Sequence, residues 1–297
     1  MIDFVRVNYQ DKNRLERFVM NKENFEKVYT VLEYHSREIL YPYKTNLSNM
    51  EIVINEKGGY VKNSLHKLNN LLMTGAEQNY NDFGYSELCA ITDYLKDNVI
   101  DVMETKLTQL EFGFNINVPR SAESIIKKSV LMHNLERHTA LRKFRGKGYL
   151  LEFEHSNYII KIYDKAKQYN RNENTLRFEI KFISAKEFNP LGVYNITDLK
   201  SKNNLSMLFK YLMKRFDELL IVDDYSENSE IPAEDIYKLN ALSSFIYWEN
   251  LSNNKQRQKK MNHKRKYFKL LETYDLLKTK NMLKNQLVQK FEKLINE

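Results

Sequence analysis

LTQLEFGFNI (107–116), GYLLEFE (148–154), NYIIKIYDK (157–165) and TLRFEIKF (175–182) repeat one pattern, apolar on one face and polar on the other. Leu110, Phe112, Phe114 and Ile116 alternate with Gln109, Glu111, Gly113 and Asn115. Tyr149, Leu151 and Phe153 oppose Leu150, Glu152 and Glu154, and Tyr158, Ile160 and Ile162 oppose Lys161, Tyr163 and Lys165. Leu176, Phe178, Ile180 and Phe182 oppose Arg177, Glu179 and Lys181. A period of two is the strand period, so each stretch predicts a half-buried strand. If the apolar faces share one core, the opposite face gathers carboxylates, a tyrosine and cations. That is the makeup of a metal-assisted site for attack on a phosphate.

Around these strands, MIDFVRVNY (1–9) starts as a strand, and 13–30 reads as a polar excursion containing a helix. Gly58-Gly59 between two alternating runs signals a hairpin over 50–68. Helical spacing follows from Leu65 to Met73, after the turn NYNDFGYSEL (79–88) to about Met103, and over 121–138. From about Ile196 the pattern turns helical, over 203–220, over 232–251 with Pro232 in the first turn, and from Lys264 to the end. The expected fold is α+β: an antiparallel sheet with helices packed on one face, then a helical C-terminal region. A boundary near 196 divides it into an α+β unit over 1–195 and a helical unit over 196–297.

The chain has 297 residues, 42% hydrophobic and 12% aromatic, enough to bury one large or two ordinary cores. A formal charge of +8 favours an anionic partner, nucleic acid first, although a solvated lysine-rich surface has the same composition. The single cysteine, Cys89, excludes an internal disulfide and a cysteine-based zinc cluster. No apolar run approaches the ~20 residues that span a bilayer, and the first residues lack signal-peptide character. The cytoplasm is the expected compartment, and no membrane partner is expected.

Tyr163 is the candidate nucleophile. Flanking ammonium groups, Lys161 and Lys165, lower a phenol's pKa and screen a phosphodiester. Glu111, Glu154 and Glu179, with His155 beside them, are candidate ligands for Mg²⁺ or Mn²⁺. The same glutamates would equally serve cross-strand pairing with Lys161, Arg177 and Lys181. No G-x-x-x-x-G-K-[ST] loop is present, so an NTP-driven motor is not expected. The run NNKQRQKKMNHKRKYFK (253–269) suits a phosphate-tracking element or a solvated helix end. Candidate DNA contacts are Lys161, Arg177 and Lys181 on the sheet, and Lys259, Lys260, Lys264 and Arg265 in this run. The four stretches place only one aromatic, Tyr163, on the open face, which speaks against a base-stacking platform.

In order along 79–190, these segments resemble the rolling-circle replication initiators of the filamentous-phage gene II type. NYNDFGYSEL (79–88) looks like the family's segment ahead of a helix, and LTQLEFGFNI (107–116) stands where it has an Arg-Ile-Asp strand. IYDKAKQY (162–169) looks like its tyrosine–x–lysine strand, and TLRFEIKF (175–182) like its Arg-Phe-Glu strand, with Phe188 to Gly192 following. The resemblance implies a nickase-like fold and a DNA-nicking and joining enzyme of a phage or plasmid. Tyr163 would then form a 5′-phosphotyrosine and free a 3′ hydroxyl. Glu111 would take the metal-binding acidic position, Lys165 would assist at the phosphate, and Glu179 would match the strand glutamate. Tyr169, ahead of Tyr158, is the candidate second nucleophile. The chain departs from the family at Gln109, Leu110 and Glu111, where the arginine is missing, and it lacks the paired-histidine metal motif of the wider superfamily. Single-stranded or supercoiled origin DNA, a host helicase or polymerase, and further copies of the chain are the implied partners. A transposase- or relaxase-like nickase would share this chemistry. A non-catalytic DNA-binding regulator would not, and would leave Tyr163 a packing residue.

Overall fold

The structure is a computed structural model that describes residues 1–144, 147–226, 228–251 and 256–297. Strand β1 (Ile2–Tyr9) leads into α1 (Lys12–Met20), β2 (Tyr29–Leu32), β3 (Ile39–Leu47), β4 (Met50–Ile54) and β5 (Gly59–Ser64). Next come α2 (Leu65–Thr74), α3 (Tyr85–Asn98), β6 (Lys106–Asn117), the single turn α4 (Ala122–Ser124) and β7 (Val130–His133). Then follow β8 (Ala140–Phe144), β9 (Lys147–Glu154), β10 (Tyr158–Asp164), the short α5 (Lys165–Gln168) and β11 (Thr175–Phe182). The chain closes with α6 (Lys202–Asp217), β12 (Leu219–Ile221), α7 (Ala233–Leu242), α8 (Phe245–Glu249), α9 (Arg257–Thr273) and α10 (Lys278–Asn296).

Ten strands form one sheet in the order β2-β3-β4-β5-β1-β6-β11-β10-β9-β8, and β12 pairs with β7 separately. The pairs around β6, β11 and β10 are antiparallel, with Glu111 opposite Lys181, Glu179 opposite Lys161, and Arg177 opposite both Asn115 and Tyr163. The alternation read from the sequence is therefore the alternation of the sheet. Leu110, Phe114, Ile160, Ile162, Phe178 and Ile180 sit in the core with Val5, Val7, Ile52 and Val61. Leu88 and Leu95 of α3, Leu205 and Leu212 of α6, and Leu287 and Phe291 of α10 join the same core. The rings of Phe209 and Phe291 stack at 4.1 Å, locking α6 to α10 over Phe114. Helices thus cover one face of an antiparallel sheet, the α+β arrangement expected. A second core gathers Trp248, Tyr267, Leu239 and Leu271 from α7 to α9 around Leu220, Val222 and Met132.

The helix expected over 121–138 is a correction. Only α4 and a wide turn over Ile125–Ser129 form there, because Val130–His133 pairs with Leu219–Ile221 as a strand. The expected helix over 203–220 ends at Asp217 for the same reason. A pairing partner nearly ninety residues distant is invisible to a local period. Strands β2 and β8 also escaped the pattern, being short, as did β3, whose inward face carries Tyr41, Tyr43 and Thr45 rather than a run of aliphatic residues.

Candidate active site

The open face of the sheet, away from the helices, carries the polar residues of β6, β10 and β11. Arg177 is 3% exposed and uses three nitrogens: Nε donates to Glu179 Oε2 at 2.6 Å, Nη1 to Asn115 Oδ1 at 3.0 Å, and Nη2 to Asp3 Oδ2 at 3.2 Å. Lys161 Nζ lies 2.8 Å from Glu111 Oε1 and 3.3 Å from Glu179 Oε1, and Lys181 Nζ lies 3.4 Å from Glu111 Oε1. Oxygens of Asp3, Glu111 and Glu179 fall within 4.8 Å of one another.

Local structure explains how Asp3 reaches this group. A register shift in the β1–β6 pairing between Ile2 and Val5 lets both of these enter the core while Asp3 turns to the polar side. Ser64 then does two jobs, capping α2 by accepting from the Lys67 amide and donating its own hydroxyl to Asp3. Asn79 Nδ2 donates to Asp3 Oδ2 at 2.6 Å. Asn79 Oδ1 accepts from Lys165 Nζ at 2.7 Å and from the Tyr169 hydroxyl at 2.5 Å. The sequence placed Lys165 on the strand beside Tyr163, but it opens α5 instead. β10 ends at Asp164, whose carboxylate accepts from the Lys167 amide and caps α5. This turn puts the Lys165 ammonium 5.3 Å from the ring centre of Tyr163 and 5.2 Å from that of Tyr169.

A cleft of about 240 Å³ opens over these groups, lined by Asp3, Glu111, Glu179, Tyr163, Lys161 and Lys165, with Lys67 and Arg142 at its margin. Its electrostatics are uneven. Burial and the neighbouring Glu179 raise the Glu111 carboxyl above its ordinary value. Burial alone would raise Glu179, but Arg177 and Lys161 outweigh it and hold that carboxyl low. Against its own burial, Asp3 is held well below the carboxylate range by Arg177, Lys165 and His66. Burial, reinforced by Arg177, lowers Lys165 to about 7. The Tyr163 phenol, 8% exposed, departs from expectation. Burial and Glu179 push it well above the usual tyrosine value, because these outweigh the nearby cations. It rests as a neutral phenol that needs a base.

The structure brings together Tyr163, Lys165, Tyr169, Glu111, Glu179, Lys161 and Lys181. It does not bring Glu154 or His155 to them. Glu154 is exposed opposite Ile159. His155 Nε2 meets His133 Nδ1 at 2.9 Å, and its ring lies 4.7 Å from that of Tyr158. Arg177, expected at DNA, is buried in ion pairs and faces no solvent. Asp3 and Asn79 were missed, and an acid among apolar residues at a strand start was the only available signal for the former. Lys259, Lys264 and Arg265 are exposed on α9, Lys260 is half-buried there, and the first three positions of the run, 253–255, lie outside the described residues.

The donor set fits a hard divalent cation: three carboxylates from three strands, able to present oxygens around one point. Among the described residues, no helix is long and apolar enough to cross a membrane. No protein-family model matches the sequence, and no curated protein matches it. The solved structure of a rolling circle replication initiator protein from Geobacillus stearothermophilus is similar to 77% of this chain over 88% of its own, with 11% identity and a TM-score of 0.40. At that depth the likeness assigns no residue and no activity here.

Proposed function

We propose that the chain nicks and rejoins origin DNA through Tyr163, starting rolling-circle replication of a phage or plasmid in the cytoplasm of a bacterial host. One observation carries this reading: a tyrosine, a lysine lowered to about 7 and three converging carboxylates line a single cleft. In the step proposed, the Tyr163 oxygen bonds to phosphorus and the bond from phosphorus to the 3′ oxygen breaks. The phenol's proton passes to Lys165 in its neutral form, and the departing 3′ oxygen takes up a proton from solvent water. The 5′ end stays on the protein as a phosphotyrosine, and reversal rejoins the strand without ATP. Asn79 Oδ1 accepts from Lys165 Nζ, orienting it and tying it to Asp3. Tyr169 shares the Asn79 oxygen and is the candidate for a second transfer.

Asp3, Glu111 and Glu179 would hold Mg²⁺ or Mn²⁺, in place of the Glu154 and His155 set. Such an ion supplies polarisation of the scissile phosphate and offsets charge developing on its oxygens. The exposed basic residues of α9 would hold duplex DNA through its phosphates, within a division of labour between 1–195 and 196–297. A host helicase or polymerase, or another copy of the chain, would dock on this assembly.

The non-catalytic reading has its own support, since each of the three carboxylates is already within 3.4 Å of a cationic nitrogen. Nicking of supercoiled DNA carrying the sequence around the gene separates the two. The enzyme predicts relaxed circles with Mg²⁺ or Mn²⁺ and none with EDTA. DNA binding without cleavage under any metal would leave a DNA-binding regulator.

A further inference from the structure

The aromatic content of the open face is larger than the sequence stretches around Tyr163 suggested, because β1 and β5 add to it. Phe4 lines the cleft itself, beside Glu111 and Tyr163. Lys181 Nζ stands 5.4 Å from the centre of the Phe4 ring. Further along β1, the Arg6 guanidinium lies over Tyr60 of β5 at 3.9 Å, and Lys62 Nζ approaches the same ring at 5.4 Å. The register explains the grouping, with Arg6 opposite Lys62 and Asn8 opposite Tyr60. Phe4, Arg6, Tyr60 and Lys62 are all half-buried, whereas their alternating neighbours Val5, Val7 and Val61 fill the core.

The guanidinium is fixed in place. Arg6 Nε donates to Asn8 Oδ1 at 3.2 Å, and the Thr108 hydroxyl donates to that same oxygen at 3.2 Å. An Arg plane laid on a ring and held by a side-chain amide offers a flat cationic surface to a base. Phe4 and Asn8, the residue opposite Tyr60, are four residues apart on β1, a span of roughly 13 Å at about 3.3 Å per residue. Cations accompany both ends, Lys181 at the first and Arg6 with Lys62 at the second. A row of aromatic faces alternating with cations is complementary to an unpaired strand, which exposes base faces and phosphates together. A duplex hides its base faces and gains nothing from Phe4 or Tyr60.

We infer that Phe4, Arg6, Tyr60 and Lys62 form a track for single-stranded DNA that runs along β5 and β1 to the Tyr163 cleft, with bases on Phe4 and on the Arg6–Tyr60 stack. The inference rests on the nicking reading for its direction toward Tyr163, but binding along the track does not require cleavage. It also tells which form of DNA the cleft takes: a strand already unpaired, delivered over β5 and β1.

The test is fluorescence anisotropy with a labelled oligothymidylate and with a duplex of the same length, in EDTA so that no strand is cut. Phe4→Ala, Tyr60→Ala, Arg6→Gln and Lys62→Gln are compared with wild type, each checked by circular dichroism and thermal melting. Should an alanine variant not fold, Tyr60→Leu keeps the sheet filled while removing the aromatic face. The track predicts at least about five-fold weaker single-strand binding for each aromatic variant, with duplex binding unchanged. Lys62→Gln is expected to lower the salt slope for the single strand by about 0.7. Unchanged single-strand affinity in every variant, or equal losses for single strand and duplex, overturns the track. If wild type forms the covalent adduct while the track variants bind normally, the track alone falls. If no adduct forms with any metal yet the variants still lose single-strand affinity, the nicking reading falls and the track stands.

Discussion

Lys165 shows most directly what burial does to a reactive group in this cleft. It is 1% exposed, donates to Asn79, and is lowered to about 7 by burial and by Arg177. The unfolded chain holds that proton to about pH 10.4, so between pH 7 and about 10 the unfolded state binds more protons than the folded one. Folding stability from this group therefore rises with pH across that window, by up to about 1.4 kcal/mol per pH unit, and its penalty is fully present below pH 7. Urea unfolding of wild type and Lys165→Met from pH 6 to pH 10 checks this: the wild type should gain on the variant as pH rises. A gap that is flat or widens against wild type would contradict it. Lys165 was legible as a residue near Tyr163, but not its place on α5, because the Asp164 cap that ends the strand is a local hydrogen bond that alternation does not encode. Asp3 was hidden more deeply. Strict alternation along β1 would send it inward with Val5 and Val7, and only the irregular pairing near Ile2 turns it outward.

The four adjacent strands β6, β11, β10 and β9 were legible almost to their ends, since a sheet buried on one face writes its period into the sequence. Their mutual register was not, and the cleft depends on it. Gly113 stands opposite Glu179, and a Cβ there would collide with Glu179 Cβ and the Phe178 carbonyl oxygen. The glycine leaves the room beside β6 that the Glu179 side chain occupies on the open face. Gly113→Ala is expected to destabilise the fold by about 1–3 kcal/mol and to weaken Mn²⁺ binding through the displaced Glu179. Urea melts and Mn²⁺ titration by paramagnetic resonance read both effects. A variant with wild-type stability and wild-type Mn²⁺ affinity would show that the two strands tolerate a side chain there. The segment over 121–138 marks the opposite limit. Its apolar spacing suits a helix, yet pairing with β12 decides it, and that partner lies outside any local window.

For the molecule as a whole, the formal charge of +8 anticipated an anionic partner but not where the charge would act. On β10 and β11 the cations Arg177, Lys161 and Lys181 are spent on carboxylates. Among the described residues, Lys259, Lys264 and Arg265 of α9 have no carboxylate partner and face solvent, while Tyr267 and Leu271 anchor the helix to the second core. Replacing Lys259, Lys260, Lys264 and Arg265 together by Gln should reduce the salt dependence of duplex binding by about 0.9 in slope for each phosphate they contact, leaving single-strand binding largely intact. An unchanged slope would remove α9 from the DNA interface.

The central claim, that Tyr163 is the nucleophile, is tested most directly by trapping the covalent product. A single-stranded oligonucleotide from the region around the gene, labelled on the 3′ side of the cleavage point, is incubated with Mg²⁺ or Mn²⁺, and the labelled protein is digested and sequenced by mass spectrometry. The account predicts label on the peptide containing Tyr163 in wild type and in Tyr169→Phe, and none in Tyr163→Phe. Label on the Tyr169 peptide with none on the Tyr163 peptide, or an adduct that persists in Tyr163→Phe, would contradict it.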